Sequence, residues 1–334
     1  MCNSSNLNKK LNSMKTWILT DGQRGMVNQC LGLTSALNIT ALSKDINLNI
    51  PWKWLPPALT PKRFYIISDH TNYISPPWPD LLIATGRKSV APALAVKKAN
   101  NGNTFCVQIQ NPGACYKYFD TVVVPFHDKI DGGNVIRTLG SLHGITPKVL
   151  DQAKQRFLHE IHSLPKPLVT VLLGGNNSTY KMNKTISHKI ANDLLNLCST
   201  KGYGLAISSS PRTPADTINI IKDRLTDKIN EKKVFFWYGN GPNPYMSLLA
   251  HADAILITSD SVNMISEASA TGKPISVLHL PNASKKFDRF HTVMEQAGVT
   301  RPFTGDIESW SYTIPDYMKE VAAEIIIRMD KYIA

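Results

Sequence analysis

Thr258-Ser-Asp-Ser261 ends an apolar run, Ala254–Thr258, and opens a helical stretch that carries one carboxylate, Glu267, and stops at Gly272 before Pro274. The first N–H groups of a helix lack partners and carry partial positive charge, so a helix opening at Ser261 suits a phosphate. Glu267 lies six residues after Ser261, near the first two turns, where a carboxylate reaches sugar hydroxyls beside a bound phosphate. Ser259, Asp260, Ser261, Met264 and Glu267 are the candidate contacts, in the layout of a nucleotide-sugar donor site. The plain alternative is a strand–loop–helix whose Glu267 sits on the surface.

Other loops carry similar chemistry. Leu173-Gly-Gly-Asn-Asn-Ser178 has paired glycines, Gly174 and Gly175, that let backbone approach a diphosphate, with Asn176 as a donor. Ser208-Ser-Ser-Pro-Arg-Thr213 offers Ser209 and the Arg212 guanidinium, which suits a phosphate. Trp237-Tyr-Gly-Asn-Gly-Pro-Asn243 offers Asn240 and Tyr238, which could pack on a base. In the first half, Thr20–Gln29 combines Asp21, Gly22, Arg24, Gly25, Asn28 and Gln29; Asp21 reads as an N-cap, a base or both. Ala84-Thr-Gly-Arg-Lys-Ser89 places Gly86 and Arg87 at a helix start, and Gln108-Ile-Gln-Asn-Pro-Gly113 places Gln110 in a turn suited to a polyhydroxyl ligand. His127 in Pro125-Phe-His-Asp128 reads as a general base, an orienting group or a structural histidine. Neither Gly-x-Gly-x-x-Gly nor a Walker loop is present.

These loops need a scaffold that brings strand ends together. The strand candidates of the first half are Trp17–Thr20, Phe64–Ser68, Leu81–Thr85, Phe105–Ile109 and Thr121–Pro125, with helices over Val27–Leu37 and Ser89–Lys98. Those of the second half are Leu168–Leu173, Gly204–Ser208, Val234–Trp237, Ala254–Thr258 and Ile275–Leu278. The second-half helices run roughly over 184–200, 214–225, 244–250 and 262–270. Short continuous apolar strands alternating with helices predict parallel sheets covered on both faces. Ligands bind at the carboxyl ends of such strands, where every candidate loop lies. Leu164-Pro-Lys-Pro167 reads as a linker after a helix over Pro147–Ser163. The expected α/β organisation is a disordered tail over 1–14, Rossmann-like domains over 15–163 and 164–314 facing a cleft, and a C-terminal helix over 315–334.

Composition narrows the partners. The net charge is +12, and residues 1–150 hold 16 Lys and Arg against 7 Asp and Glu. That excess fits an anionic membrane surface or an acidic acceptor, or plain solubility. No aromatic-basic stripe or motif for nucleic acid is present. The five cysteines show no Cys-x-x-Cys spacing, and no metal pattern accompanies them. The polar N-terminus and the lack of long apolar runs then fit a cytoplasmic protein, with a peripheral place at an inner membrane compatible with the basic half.

Taken together, Asp21–Gln29, Ala84–Arg87, Val123–Asp128, Leu173–Gly175, Ser209–Thr213 and Thr258–Glu267 resemble a family named after a plant mitochondrial fission factor, whose bacterial members look like GT-B glycosyltransferases. The resemblance covers about residues 15–300. Ser261–Glu267 is also similar to the donor site of the bacterial lipid II N-acetylglucosaminyltransferase, where the matching glutamate binds the ribose; that implies the same role for Glu267. The family loop usually carries a histidine where this chain has Met26, two residues before Asn28-Gln29. Methionine moves no proton, so Asp21 or His127 takes that task, or the enzyme is altered.

The resemblance implies a metal-independent, cofactor-free transferase moving sugar from a nucleotide diphosphate to a lipid-linked or cell-envelope glycan. The donor would lie on the second domain and the acceptor on the first. The alternatives are a non-catalytic adaptor on a GT-B scaffold and a nucleotide-sugar epimerase.

Overall fold

The computed structural model describes residues 13–68 and 74–333; most of the expected tail, with Cys2, lies outside them. The chain divides into two compact units, one of residues 1–144 and 316–334, the other of residues 145–315.

Unit 1 is built on a six-stranded parallel sheet. Its strands are β1 (Thr16–Thr20), β2 (Leu42–Asp45), β3 (Leu81–Thr85), β4 (Phe105–Ile109), β5 (Thr121–Pro125) and β6 (Val135–Thr138), in spatial order β2-β1-β3-β4-β5-β6. Helix α1 (Arg24–Ala36) follows β1 and α2 (Val90–Ala99) follows β3. Side chains alternate across the sheet, and both faces are covered. Trp17, Leu19, Leu82, Ala84, Cys106 and Val122 join one core. Ile18, Leu81, Ile83, Phe105, Val107 and Val123 join the other, with Cys30 and Leu33 of α1.

Unit 2 repeats the plan with α3 (Pro147–Lys154), α4 (Leu158–His162), β7 (Leu168–Leu173), α5 (Lys184–Ser199), β8 (Gly204–Ser209), α6 (Ala215–Asn230), β9 (Val234–Trp237), α7 (Tyr245–His251), β10 (Ala254–Thr258), α8 (Val262–Ser269), β11 (Ile275–Leu278), α9 (Lys285–Gln296) and β12 (Thr300–Pro302). The strands are again parallel, in spatial order β12-β11-β10-β7-β8-β9. The last helix, α10 (Tyr317–Ile333), returns to unit 1, where Tyr317, Val321, Ala322, Ile325 and Met329 fill the core beside Leu33 of α1 and Leu37, which caps it.

Some expectations change. Phe64–Ser68 is a 3-10 turn over Phe64–Ile66, not a strand; Phe64 is drawn inward by stacking on Trp78 with ring centroids 5.5 Å apart. The division between units falls at Gly144–Ile145, ahead of the expected linker. Helices α3 and α4 pack within unit 2: Ser247 of α7 donates its hydroxyl to Ala153 O at 2.8 Å, and Ile161 and Leu164 share a core with Leu168 and Leu248. The expected separate terminal helix is part of unit 1. The expected helix over 147–163 is two helices, parted by Phe157 in the left-handed region at φ 54°.

Candidate functional site

In unit 2, β7 is the first strand of the sheet, and the chain leaves it toward β8 on one side and β10 on the other. Such a switch in strand order opens a crevice at the carboxyl ends, because neighbouring loops turn away from each other. The loops after β7, β8 and β10 meet there on one buried carboxylate, Asp260.

Asp260 Oδ2 accepts the Gly175 N–H at 2.8 Å and the Arg212 guanidinium at 3.2 Å. Asp260 Oδ1 accepts the Thr258 hydroxyl at 2.7 Å, and Thr258 Oγ1 in turn accepts the Gly174 N–H at 2.8 Å. The glycines are required by this packing. A Cβ on Gly174 would lie 2.1 Å from Asp260 Oδ1, and one on Gly175 would lie 2.0 Å from the Arg212 carbonyl oxygen. Burial pushes the Asp260 carboxyl above its ordinary value, opposed by the Gly175 N–H, the Thr258 hydroxyl and Arg212. Arg212 itself remains 42% exposed, so its fork is anchored on one side and open on the other.

The remaining sequence candidates of these loops mostly shape backbone. Asn176 donates its N–H to Arg212 O at 3.0 Å and accepts the Met182 N–H on Oδ1 at 2.8 Å. Ser209 ends β8, buried. Ser259 Oγ accepts the Leu280 N–H at 2.9 Å, and Ser259 O accepts from His291 Nε2 at 2.9 Å. Burial holds His291 down at about 4, so the ring is neutral and its Nε2–H donates. Ser261 caps α8 by accepting the Met264 N–H at 3.4 Å, which leaves the first N–H groups of the helix outside the capping bond.

Glu267 lies on the second turn of α8. Its Oε2 accepts the Tyr245 hydroxyl at 2.5 Å. Burial raises Glu267 to about 7, and the Tyr245 hydrogen bond works against that rise. The sequence reading missed Tyr245, although the Asn243-Pro-Tyr245 helix start could have pointed to it; Asn243 Oδ1 accepts the Tyr245 N–H at 2.9 Å. Tyr238 and Asn240 lie elsewhere on the same loop. Lys222 sits 5.1 Å from the Tyr238 ring centroid, and Asn240 O accepts the Trp237 indole N–H at 2.7 Å. Among the described hydrogen bonds, neither joins the Asp260 network.

In unit 1 the loops after β1, β3, β4 and β5 share one sheet edge. The Asp21 side chain, 5% exposed, pairs with Lys88 at 3.0 Å and accepts from the Gln23 amide at 3.0 Å. Lys88 is the partner the sequence reading did not single out. Gly22 turns the chain at φ 77°, and Gly86 does so at φ 84°. Gly86 also makes room for Met26, whose sulfur would lie 2.6 Å from a Cβ there. The Gln110 amide donates to Gln29 Oε1 at 3.4 Å. Arg87 donates to Lys53 O at 3.0 Å. Arg24, Gly25 and Asn28 lie on the first turns of α1, Arg24 exposed and Asn28 partly buried. His127 and Asp128 are buried in the turn after β5.

Residues 24–329 match the family model described as mitochondrial fission ELM1. The mitochondrial fission protein ELM1 of Arabidopsis thaliana is 34% identical over 273 residues, which is 74% of this chain. The chain spans 63% of that relative's own length. Among solved structures, the Methanocaldococcus jannaschii UDP-GlcNAc 2-epimerase in complex with UDP-GlcNAc and UDP aligns with a TM-score of 0.53 at 13% identity, covering 96% of this chain and 100% of the epimerase chain. Arabidopsis thaliana UGT89C1 complexed with UDP aligns with a TM-score of 0.50 at 11% identity, covering 95% of this chain and 93% of that one. These likenesses give the fold, α/β of the GT-B class with two Rossmann-like units.

Proposed function

The chain belongs to the mitochondrial fission ELM1 family, and from that premise we propose that it is a metal-independent glycosyltransferase taking sugar from a nucleotide diphosphate to a lipid-linked or envelope glycan acceptor. The observation that carries the reading is the three-loop junction on Asp260, with Arg212 half-open beside it and the capped start of α8 next in sequence. A diphosphate in that crevice would meet the first N–H groups of α8 and the exposed side of Arg212, which stabilise the charge of the leaving nucleotide. Glu267 would accept from the ribose hydroxyls. That the aligned epimerase and UGT89C1 were solved with UDP is compatible with such a donor.

Acceptor binding falls to unit 1 in this reading, along the loop edge of Gly22, Gly86 and Gln110. Asp21 takes the proton from the attacking hydroxyl. Its carboxylate is buried, as is His127, and it is the Gly22–Gln23 turn beside it, exposed, that favours Asp21 in this reading. Lys88 fixes the carboxylate's direction. Positioning and charge stabilisation supply the rest of the rate.

A donor screen that reads free nucleotide, with membrane extract as the source of acceptor, tests this reading. Transferase activity releases nucleotide and labels an acceptor. An epimerase isomerises the sugar without acceptor, and an adaptor responds to no nucleotide sugar; either outcome overturns the proposal.

A further inference from the structure

Unit 1 carries a surface segment that its catalytic reading does not use. Residues 46–68 contain Lys53, Lys62 and Arg63 and no Asp or Glu. The backbone forms three short 3-10 turns, Trp52–Trp54, Pro57–Leu59 and Phe64–Ile66, among prolines at 51, 56, 57 and 61. Inner aromatics fix it: Phe64 stacks on Trp78, and Trp78 meets Trp17 edge-on at 6.1 Å. Asn49, ahead of the first turn, accepts the Lys53 N–H at 3.1 Å and reaches the third turn by donating its N–H to Ile66 O at 2.8 Å and its side-chain amide to Tyr65 O at 3.1 Å.

The outer side chains nevertheless point to solvent. Trp54 is 65% exposed and Leu59 is 68% exposed, and Ile50 and Tyr65 are also exposed. The Gly113–Tyr118 turn packs beside Pro57–Leu59 and adds exposed Tyr118 and Lys117. Lys62 lies near enough to Cys115 of that turn to act on its thiol electrostatically. Lys53 Nζ stands 5.3 Å from the Trp54 ring centroid. Large apolar groups held out in water by an ordered backbone mark a contact surface. Trp and Tyr favour the membrane interface, and the Lys and Arg beside them, a grouping in Trp52–Trp54 and Lys62–Tyr65 that the sequence reading passed over, favour anionic headgroups.

We propose that the Trp54, Leu59 and Tyr118 surface, with Lys53, Lys62 and Arg63, docks unit 1 on an anionic lipid bilayer. Charge complementarity selects this occupant, and the aliphatic Ile50 and Leu59 suit acyl chains better than nucleobases. Attachment of this kind is peripheral; among the described residues, no helix is long and apolar enough to cross a membrane. The Arg87 bond to Lys53 O links the surface to the Gly86–Ser89 loop, whose Lys88 pairs with Asp21. Docking therefore brings the acceptor edge of unit 1 to the headgroup layer. The proposal deepens the transferase reading and rests on it for the acceptor's being lipid-linked.

Vesicle co-sedimentation of the full chain tests it, comparing phosphatidylcholine alone with phosphatidylcholine containing phosphatidylglycerol. Binding is expected to the anionic vesicles only and to weaken with salt. Trp54→Ser with Leu59→Ser should release the protein. Lys53→Gln with Lys62→Gln and Arg63→Gln should weaken binding roughly a hundredfold, since each cation near the surface contributes about 1 kcal/mol. Unchanged thermal midpoints and nucleotide affinity in these variants establish that they are folded. Wild-type protein that ignores anionic vesicles, or folded variants that bind as wild type does, overturns the docking surface. Nucleotide binding without vesicle binding removes the docking proposal alone, and vesicle binding without nucleotide binding removes the transferase reading alone.

Discussion

Tyr245 donates its hydroxyl to Glu267 Oε2 across 2.5 Å, joining the start of α7 to the second turn of α8. The bond occupies one carboxylate oxygen and sets the conditions under which the other can serve a ligand. A carboxylate raised to about 7 by burial is divided between acid and base near neutral pH.

Nucleotide affinity should therefore rise as pH increases through about 7, because only the ionised carboxylate accepts fully from two ribose hydroxyls. Calorimetric titrations on either side of that pH check the slope. Glu267→Gln should flatten it. Tyr245→Phe should move the inflection upward, because the lost hydrogen bond was holding the carboxyl down.

The same group shapes stability. Its folded value lies above the ordinary 4.5, so the native state binds the extra proton between 4.5 and about 7. The contribution is complete below 4.5 and is lost as pH rises through about 7, with an upper bound of about 3 kcal/mol. Denaturant midpoints of wild type and Glu267→Gln across that window should diverge accordingly.

Gly174→Ala and Gly175→Ala should each cost roughly 1–3 kcal/mol or more, because the new Cβ meets Asp260 or the Arg212 backbone, neither of which can swing aside. Asp260→Ala should cost about 1–3 kcal/mol by leaving the Gly175 N–H without its acceptor. Denaturant unfolding with an unchanged slope measures both. Reduced nucleotide affinity should accompany the loss in each case.

Asp21→Asn should lower the transfer rate by a factor of about 10²–10⁴, the usual contribution of a general base. Nucleotide affinity should stay unchanged, since Asp21 belongs to unit 1. Steady-state rates beside calorimetry separate the two effects. A larger loss in His127→Asn than in Asp21→Asn would reassign the base.

Much of the scaffold was legible because its strands are continuous apolar runs such as Leu168–Leu173, buried on both faces. Strand β2 escaped because Leu-Ser-Lys-Asp at a sheet edge is largely exposed and carries no apolar run. Strand β12 is three residues long, and its Arg301 and Pro302 are exposed. The unit 2 loops were legible from their glycines, serines and Arg212, but their use was not. Gly174 and Gly175 read as a backbone approach to ligand, whereas in the fold they admit Asp260 and the Arg212 backbone. Tyr245 and Lys88 gained their meaning only through partners distant in sequence, Glu267 and Asp21. The segment Thr258–Glu267 kept its reading as a helix start capped by Ser261, and the structure added the tyrosine on its carboxylate.

Calorimetric titration of UDP, GDP, CDP and ADP into the wild type, Arg212→Ala and Glu267→Ala tests the proposed donor site most directly. The account predicts saturable binding of one nucleoside diphosphate at one site per chain, weakened at least tenfold by each substitution in protein that remains folded. Absence of binding by all four, or affinity untouched in both variants, would contradict it.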